Sequence, residues 1–261
     1  MKRALLAGTV LAALTLPSLS ANATLIFTAA NNSPTVTTHC LATDLACNPS
    51  GDPNTITLGT LLTNGILVTG STHQQDLGNG ILNSQSVAVV NLLQTAVTAT
   101  VVVGGNDFVG PRNAFSFSGS GTFQNAQGAT VTDRWYDDPL NRQPAGTTVG
   151  NALSAADTPG DLLGVFNSTA TQPDFSYAVN QPLTPLADPD TGLYSMTLFF
   201  TFTLPGSPTS CTQAATTTCA QLISRGQNLE KFETVPEPAT LAVLGAGMVG
   251  LGYIRRQRRA G

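Results

Sequence analysis

From Leu193 to Leu204 the side chains sort into two sets. Tyr194, Met196, Leu198, Phe200, Phe202 and Leu204 share one face of an extended strand, opposite Ser195, Thr197, Thr201 and Thr203. A period of two belongs to a pleated strand with one buried face, because a helix would spread those apolar residues around its axis. Such a strand needs a second apolar layer to cover it, which commits its surroundings to packed sheets.

The rest of the central chain agrees with that start. The sequence holds 37 threonines, 25 glycines and 16 prolines, with only 10% charged residues. Threonine and valine suit half-buried pleats, while Gly, Pro and Asn punctuate turns. Further strand candidates are 25–27, 55–58, 66–68, 86–90 and 96–103. Phe115, Phe117, Gly119, Gly121 and Phe123 share a face, Asn125-Ala126-Gln127-Gly128 turns the chain, and 130–136 returns, which reads as a hairpin over 113–136. Segments 137–159 and 171–192 are rich in turn formers and read as long surface loops, and 222–232 as a last strand or a short helix. The expected class is all-β: an antiparallel two-sheet sandwich, jelly-roll-like, with long loops.

The two ends read differently, as an N-terminal signal helix and a C-terminal membrane helix. Met1-Lys2-Arg3 precedes an apolar run over 4–16, Pro17 breaks it, and Ala21 and Ala23 supply a small-x-small cleavage site. That is a secretory signal peptide over 1–23, which implies the Sec translocon and signal peptidase as partners. Residues 24–232 are then the exported sandwich domain, and 233–261 a linker and tail. In the tail, Pro236, Glu237 and Pro238 precede sixteen apolar residues over 239–254, and Arg255, Arg256, Arg258 and Arg259 follow. Sixteen helical residues span ~24 Å against a hydrocarbon core of ~30 Å, short for a permanent span. The arginines stop the segment on the cytoplasmic side of the inner membrane. Leu244 to Gly250 fits G-x-G-x-x-G, but only eleven residues follow and none is acidic, which excludes a dinucleotide site.

Val235-Pro236-Glu237-Pro238-Ala239-Thr240, the glycine-rich apolar segment and the arginine cluster together resemble the PEP-CTERM sorting signal of Gram-negative bacteria, a tail also known under an ice-binding-protein C-terminal label. The resemblance implies recognition by an exosortase and processing near Pro236-Glu237-Pro238. It also implies transient anchoring in the inner membrane and delivery to the cell surface or extracellular matrix. It assigns no family to the body.

The body carries five basic and fourteen acidic side chains over 24–235, a net charge of −9, which argues against nucleic acid or anionic lipid as a partner. Its four cysteines, Cys40, Cys47, Cys211 and Cys219, allow three pairings in an exported chain, and local pairing of 40 with 47 and 211 with 219 is expected. His39 and His73 are the only histidines, and no G-x-S-x-G, H-E-x-x-H or P-loop pattern is present, so neither catalysis nor a cofactor or metal is expected. Asp188-Pro189-Asp190-Thr191-Gly192 is an imperfect calcium loop and reads as a turn. Trp135, Tyr136 and Asp137 are the candidate carbohydrate contact, with Trp135 filling the sandwich core as the competing and commoner fate. The expected role is that of a non-enzymatic surface or matrix structural protein. The alternative is a sandwich module that binds exopolysaccharide. A surface hydrolase or an ice-binding protein ranks lower, because the Thr-x-Thr pairs at 55–57 and 201–203 lack a regular register.

Overall fold

The computed structural model describes residues 25–31, 37–76, 79–142 and 158–234. The signal segment with Ala21 and Ala23, the motif Pro236-Glu237-Pro238, the 239–254 segment and the four terminal arginines lie outside the described residues. Among the described residues no helix is long and apolar enough to cross a membrane.

The chain forms twelve strands: β1 (Leu25–Asn31), β2 (Thr37–Leu41), β3 (Thr55–Thr63), β4 (Ile66–Gln75), β5 (Gly80–Asn91), β6 (Val97–Val109), β7 (Arg112–Gln124), β8 (Thr130–Asp138), β9 (Asp161–Thr169), β10 (Phe175–Asp190), β11 (Leu193–Leu204) and β12 (Ala220–Phe232). They build two six-stranded sheets, sheet A in the order β2-β1-β6-β11-β8-β9 and sheet B in the order β10-β7-β12-β5-β4-β3. Every pairing is antiparallel. From β5 to β12 the chain changes sheet at every step except β8 to β9, which is the winding of an eight-stranded jelly roll. β1 and β2 widen sheet A beyond β6, while β3 and β4 widen sheet B beyond β5. The all-β sandwich read from the sequence is the fold observed.

The core lies between the sheets. Tyr194, Met196, Leu198, Phe200, Phe202 and Leu204 of β11 are all buried there, as their alternation requires, against Phe115, Phe117 and Phe123 of β7 and Leu222 and Leu229 of β12. A smaller apolar cluster of Val102, Tyr136 and Phe199 is buried on the opposite face of sheet A. Both disulfides are local, Cys40–Cys47 and Cys211–Cys219, with Cα separations of 5.8 and 5.0 Å. They close loops beside short strands, where each stabilises the fold by ~2–3 kcal/mol on chain-entropy grounds.

Two local expectations are corrected, and a strand for which no expectation was made is added. The hairpin over 113–136 does not exist. β7 pairs with β10 and β12 in sheet B and β8 with β9 and β11 in sheet A, so 125–129 arches from one sheet to the other. Both strands carry large apolar side chains on their inner faces, Phe115, Phe117 and Phe123 on β7 and Val131 and Trp135 on β8, and these gain more by meeting across the core than by lying side by side. The Phe117 and Trp135 rings stack there with centroids 4.2 Å apart. Second, much of the loop over 171–192 is β10. Pro182, Pro185 and Pro189 are tolerated because β10 is the edge of sheet B, and its register breaks after Gln181 and after Pro185. Third, 161–169 is a strand, β9, at the edge of sheet A. Its burial is too irregular to announce itself as an alternation.

Candidate functional site

The outer face of sheet B is concave. Register breaks fall side by side on three neighbouring strands: Thr69 to Ser71 on β4, Gln85 to Val87 on β5, and Leu222 to Gln227 on β12. Ser86 and Ser224 take positive φ of 51° and 50°, and Gly70 takes 144°, where an added Cβ would lie 2.8 Å from the Val87 backbone. Adjacent bulges bend a sheet locally. Here they frame a groove of about 700 Å³ across β4, β5, β12, β7 and β10.

The groove is lined by polar side chains in one cross-strand row. His73 pairs with Asn83, Asn83 with Asn228, and Asn228 with Ser118, and the register runs on beyond the groove to Thr55 on one side and Asn180 on the other. Each alternates with a buried partner such as Leu82, Leu229 or Phe117, so the row faces outward. Asn228 Nδ2 donates to Glu230 Oε1 at 2.8 Å, while the Oδ1 atoms of Asn228 and Asn83 are turned away from solvent and have no donor. His73 is a strand residue of this lining.

The sandwich interior holds a second polar array that no local pattern announces. Arg225 of β12 reaches across the core to Asp133 of β8, Nη2 to Oδ1 2.7 Å, with both side chains fully buried. The guanidinium lies 3.2 Å over the Phe200 ring and also donates to Ser84 Oγ. Burial pushes the Asp133 carboxyl up from its ordinary range, and Arg225 offsets only part of that. Two positions along β12, beyond Leu229, Lys231 contacts Asp137 of β8 and Asp190 of β10. Burial pushes Asp137 up to about 6 against the pull of Lys231, helped by the charges of Asp190 and Asp161. Asp190 is raised by burial as well. Nearer the surface, burial works to raise Asp138, but the guanidinium and amide of Arg142 and the Leu140 amide outweigh it and hold this carboxyl below the usual range.

The sugar-contact candidates do not come together. Trp135 is fully buried and stacked on Phe117; Tyr136 points to the opposite face of sheet A and packs edge-on against Phe199; Asp137 turns inward to Lys231. Successive strand residues face opposite ways, so no single surface can present all three. The competing reading, Trp135 as core, is the observed one. Asp188 is exposed while Asp190 is buried on Lys231, so those two carboxylates do not converge on one ion.

Residues 234–259 match the PEP-CTERM protein-sorting motif. The tail therefore marks the chain for export and exosortase-mediated processing to the cell surface, and the body belongs to no recognised family. No curated protein matches the chain. Among solved structures, similarity is found to TmCBM61 in complex with β-1,4-galactotriose, at 9% identity over 63% of this chain and 88% of that one, with a TM-score of 0.28. The carbohydrate-binding module CBM6cm-2 of Cellvibrio mixtus lichenase 5A overlaps at 12% identity over 69% and 97%, TM-score 0.26. The adhesin domain of Epf from Streptococcus pyogenes overlaps at 10% identity over 80% and 57%, TM-score 0.31. Overlap at this level carries no weight for ligand or activity, and the strand order stands on its own.

Proposed function

We propose that this chain is a non-catalytic structural protein of the cell surface or extracellular matrix whose body binds polysaccharide along the groove of sheet B. It is exported through the Sec translocon, freed of its leader by signal peptidase, and held only transiently in the inner membrane before exosortase processing. The observation that carries the binding role is the outward-facing row His73, Asn83, Asn228 and Ser118, which lines one groove across four neighbouring strands.

Neighbouring strands lie ~4.8 Å apart, so a hydroxyl-rich polymer lying across them meets a new donor or acceptor at every strand. Sugar hydroxyls both donate and accept, so they suit a row of amide, hydroxyl and imidazole groups. The acidic body and the Glu230 carboxylate disfavour an anionic polymer at low salt and suit a neutral or amine-bearing one. Among the described residues no Phe, Tyr or Trp lines the groove, so affinity per site rests on hydrogen bonds and is modest, and a long polymer recovers it by engaging many copies.

Affinity electrophoresis of the mature protein in gels cast with the producer's own exopolysaccharide tests this reading. Retardation that grows with polysaccharide concentration supports it, and mobility independent of polysaccharide overturns it.

A further inference from the structure

Lys231 is the last inward-facing side chain of β12, three residues before the sorting motif begins at 234. It is fully buried. Its Nζ touches Asp190 Oδ2, lies 2.5 Å from Asp137 Oδ1, and sits 4.3 Å from the centre of the Tyr194 ring. The Asp190 and Asp137 side chains are 1% and 5% exposed, so Lys231 and Asp190 are shut off from water and Asp137 alone reaches the edge of a surface cleft.

As an ion cluster this arrangement is poor. One ammonium faces two carboxylates, and burial without full compensation costs several kcal/mol per ion. Asp190 Oδ1 has no hydrogen-bond donor. The other nearby cation, Arg112, contacts Asp76. Burial raises both Asp137 and Asp190, which favours the protonated carboxyl over the carboxylate. An amine held against a protonated carboxyl, beside a second carboxyl able to move protons, is the complete requirement for forming an amide.

The geometry points to a covalent amide between Lys231 Nζ and Asp190 Cγ, formed by the chain itself with Asp137 carrying the protons. The Lys231 ammonium gives a proton to the Asp137 carboxylate. The neutral amine attacks Cγ of protonated Asp190, and the C–N bond forms. Asp137 passes its proton to the departing hydroxyl as the C–O bond breaks, and takes one from the nitrogen. One water leaves, and a neutral Asp137 stays beside a neutral amide. No oxidant, cofactor or second substrate is consumed. Amide formation is uphill in dilute water, but correctly held groups reach effective molarities of ~10⁵–10⁸ M, and the dry site opposes the reverse hydrolysis.

The bond ties β12 to β10 across β7, the strand between them in sheet B. It lies where the chain leaves the sandwich for the tail, so tension from a C-terminal attachment meets a covalent stop before β12 can peel away. Unlike the two disulfides, it survives reduction.

Intact mass spectrometry of the full chain, recovered after export, denatured and reduced, tests the bond. The expected mass is that of its observed termini less one water. Trypsin should not cut after Lys231, and a branched peptide should join the segments containing Lys231 and Asp190. An undiminished mass together with cleavage after Lys231 overturns the proposal. Asp137→Asn, nearly the same shape, should restore the water while keeping the β-sheet circular dichroism of the parent, and a retained deficit overturns the role of Asp137. Lys231→Met should restore it as well, and a deficit that persists there places the missing water elsewhere and overturns the bond.

Discussion

Arg225 and Asp133 meet in the middle of the sandwich, one from each sheet, at 2.7 Å and with no exposed side-chain surface. Each is the other's main compensation for lost water. Losing one partner strands a buried charge, which costs ~3–5 kcal/mol, whereas replacing both by apolar residues of similar volume is close to neutral. Arg225→Met should therefore lower the midpoint of urea unfolding sharply, and Arg225→Met combined with Asp133→Leu should recover most of the loss. Additive losses in the double variant would show that the pair is not coupled.

The interior carboxylates set the sign of the pH dependence. Asp133 and Asp137 are raised by burial, so the folded state binds protons more tightly than the unfolded state between the ordinary carboxyl value of 3.8 and, for Asp137, about 6. Stability from these groups is greatest at the acid side of that window and falls as pH rises through it. For Asp137 the difference amounts to at most about 3 kcal/mol. Thermal melts should give a higher Tm at pH 5 than at pH 8, and Asp137→Asn should flatten that difference. Asp138, held low by Arg142, works in the opposite direction, and its contribution is lost only as pH falls below the ordinary carboxyl range.

The groove and the buried tryptophan separate binding from folding. Asn83→Ala with Asn228→Ala removes two hydrogen-bonding amides from the row, worth ~1 kcal/mol each, so affinity for exopolysaccharide should fall about tenfold or more at unchanged Tm. Trp135→Phe changes the core between the sheets and should lower Tm without changing affinity. A binding loss with Trp135→Phe but not with the asparagine pair would move the site away from sheet B.

Gly164 on β9 faces the Phe117 ring, and a Cβ there would lie 2.3 Å from Phe117 Cζ. Phe117 is itself stacked on Trp135 and cannot retreat freely. Gly164→Ala should destabilise by ~1–3 kcal/mol, the usual cost of overpacking a core. Urea denaturation measures it, and a neutral outcome would show that β9 yields instead.

The tail makes a cellular prediction. Replacing Glu237 with alanine, or deleting 236–261, should stop processing and delivery without disturbing the sandwich, because the described fold ends at Thr234. Cell fractionation and the mass of the surface-released protein distinguish processed from unprocessed chains.

Much of the architecture is legible in the residues themselves. The alternation of 193–204, the threonine-rich body and the paired cysteines at separations of 7 and 8 are local signals, and each is realised where it is written. The misreadings share a cause. The turn at 125–128 is real, yet nothing local says whether the strands on either side pair or face each other across a core. Proline marks 171–192 as irregular unless the segment is known to be an edge strand, and edge position is a property of the whole sheet. β9 carries no clean alternation, since a bulge opposite Trp135 and Tyr136 shifts its pattern midway.

The sites follow the same division. The sorting tail is a contiguous pattern whose chemistry depends only on order and length, so the residues alone mark the chain for export and exosortase-mediated processing. The groove row draws on β4, β5, β12 and β7, and the Lys231 cluster on β12, β10 and β8. Residues 92 positions apart, such as Asp133 and Arg225, become partners only because the jelly-roll winding places β8 opposite β12. Composition shows fourteen acids and five bases in the body, but which of them lose water depends on strand order and pleat. That desolvation, a property of the assembled core, is what turned ordinary aspartates and a lysine into reactive neighbours.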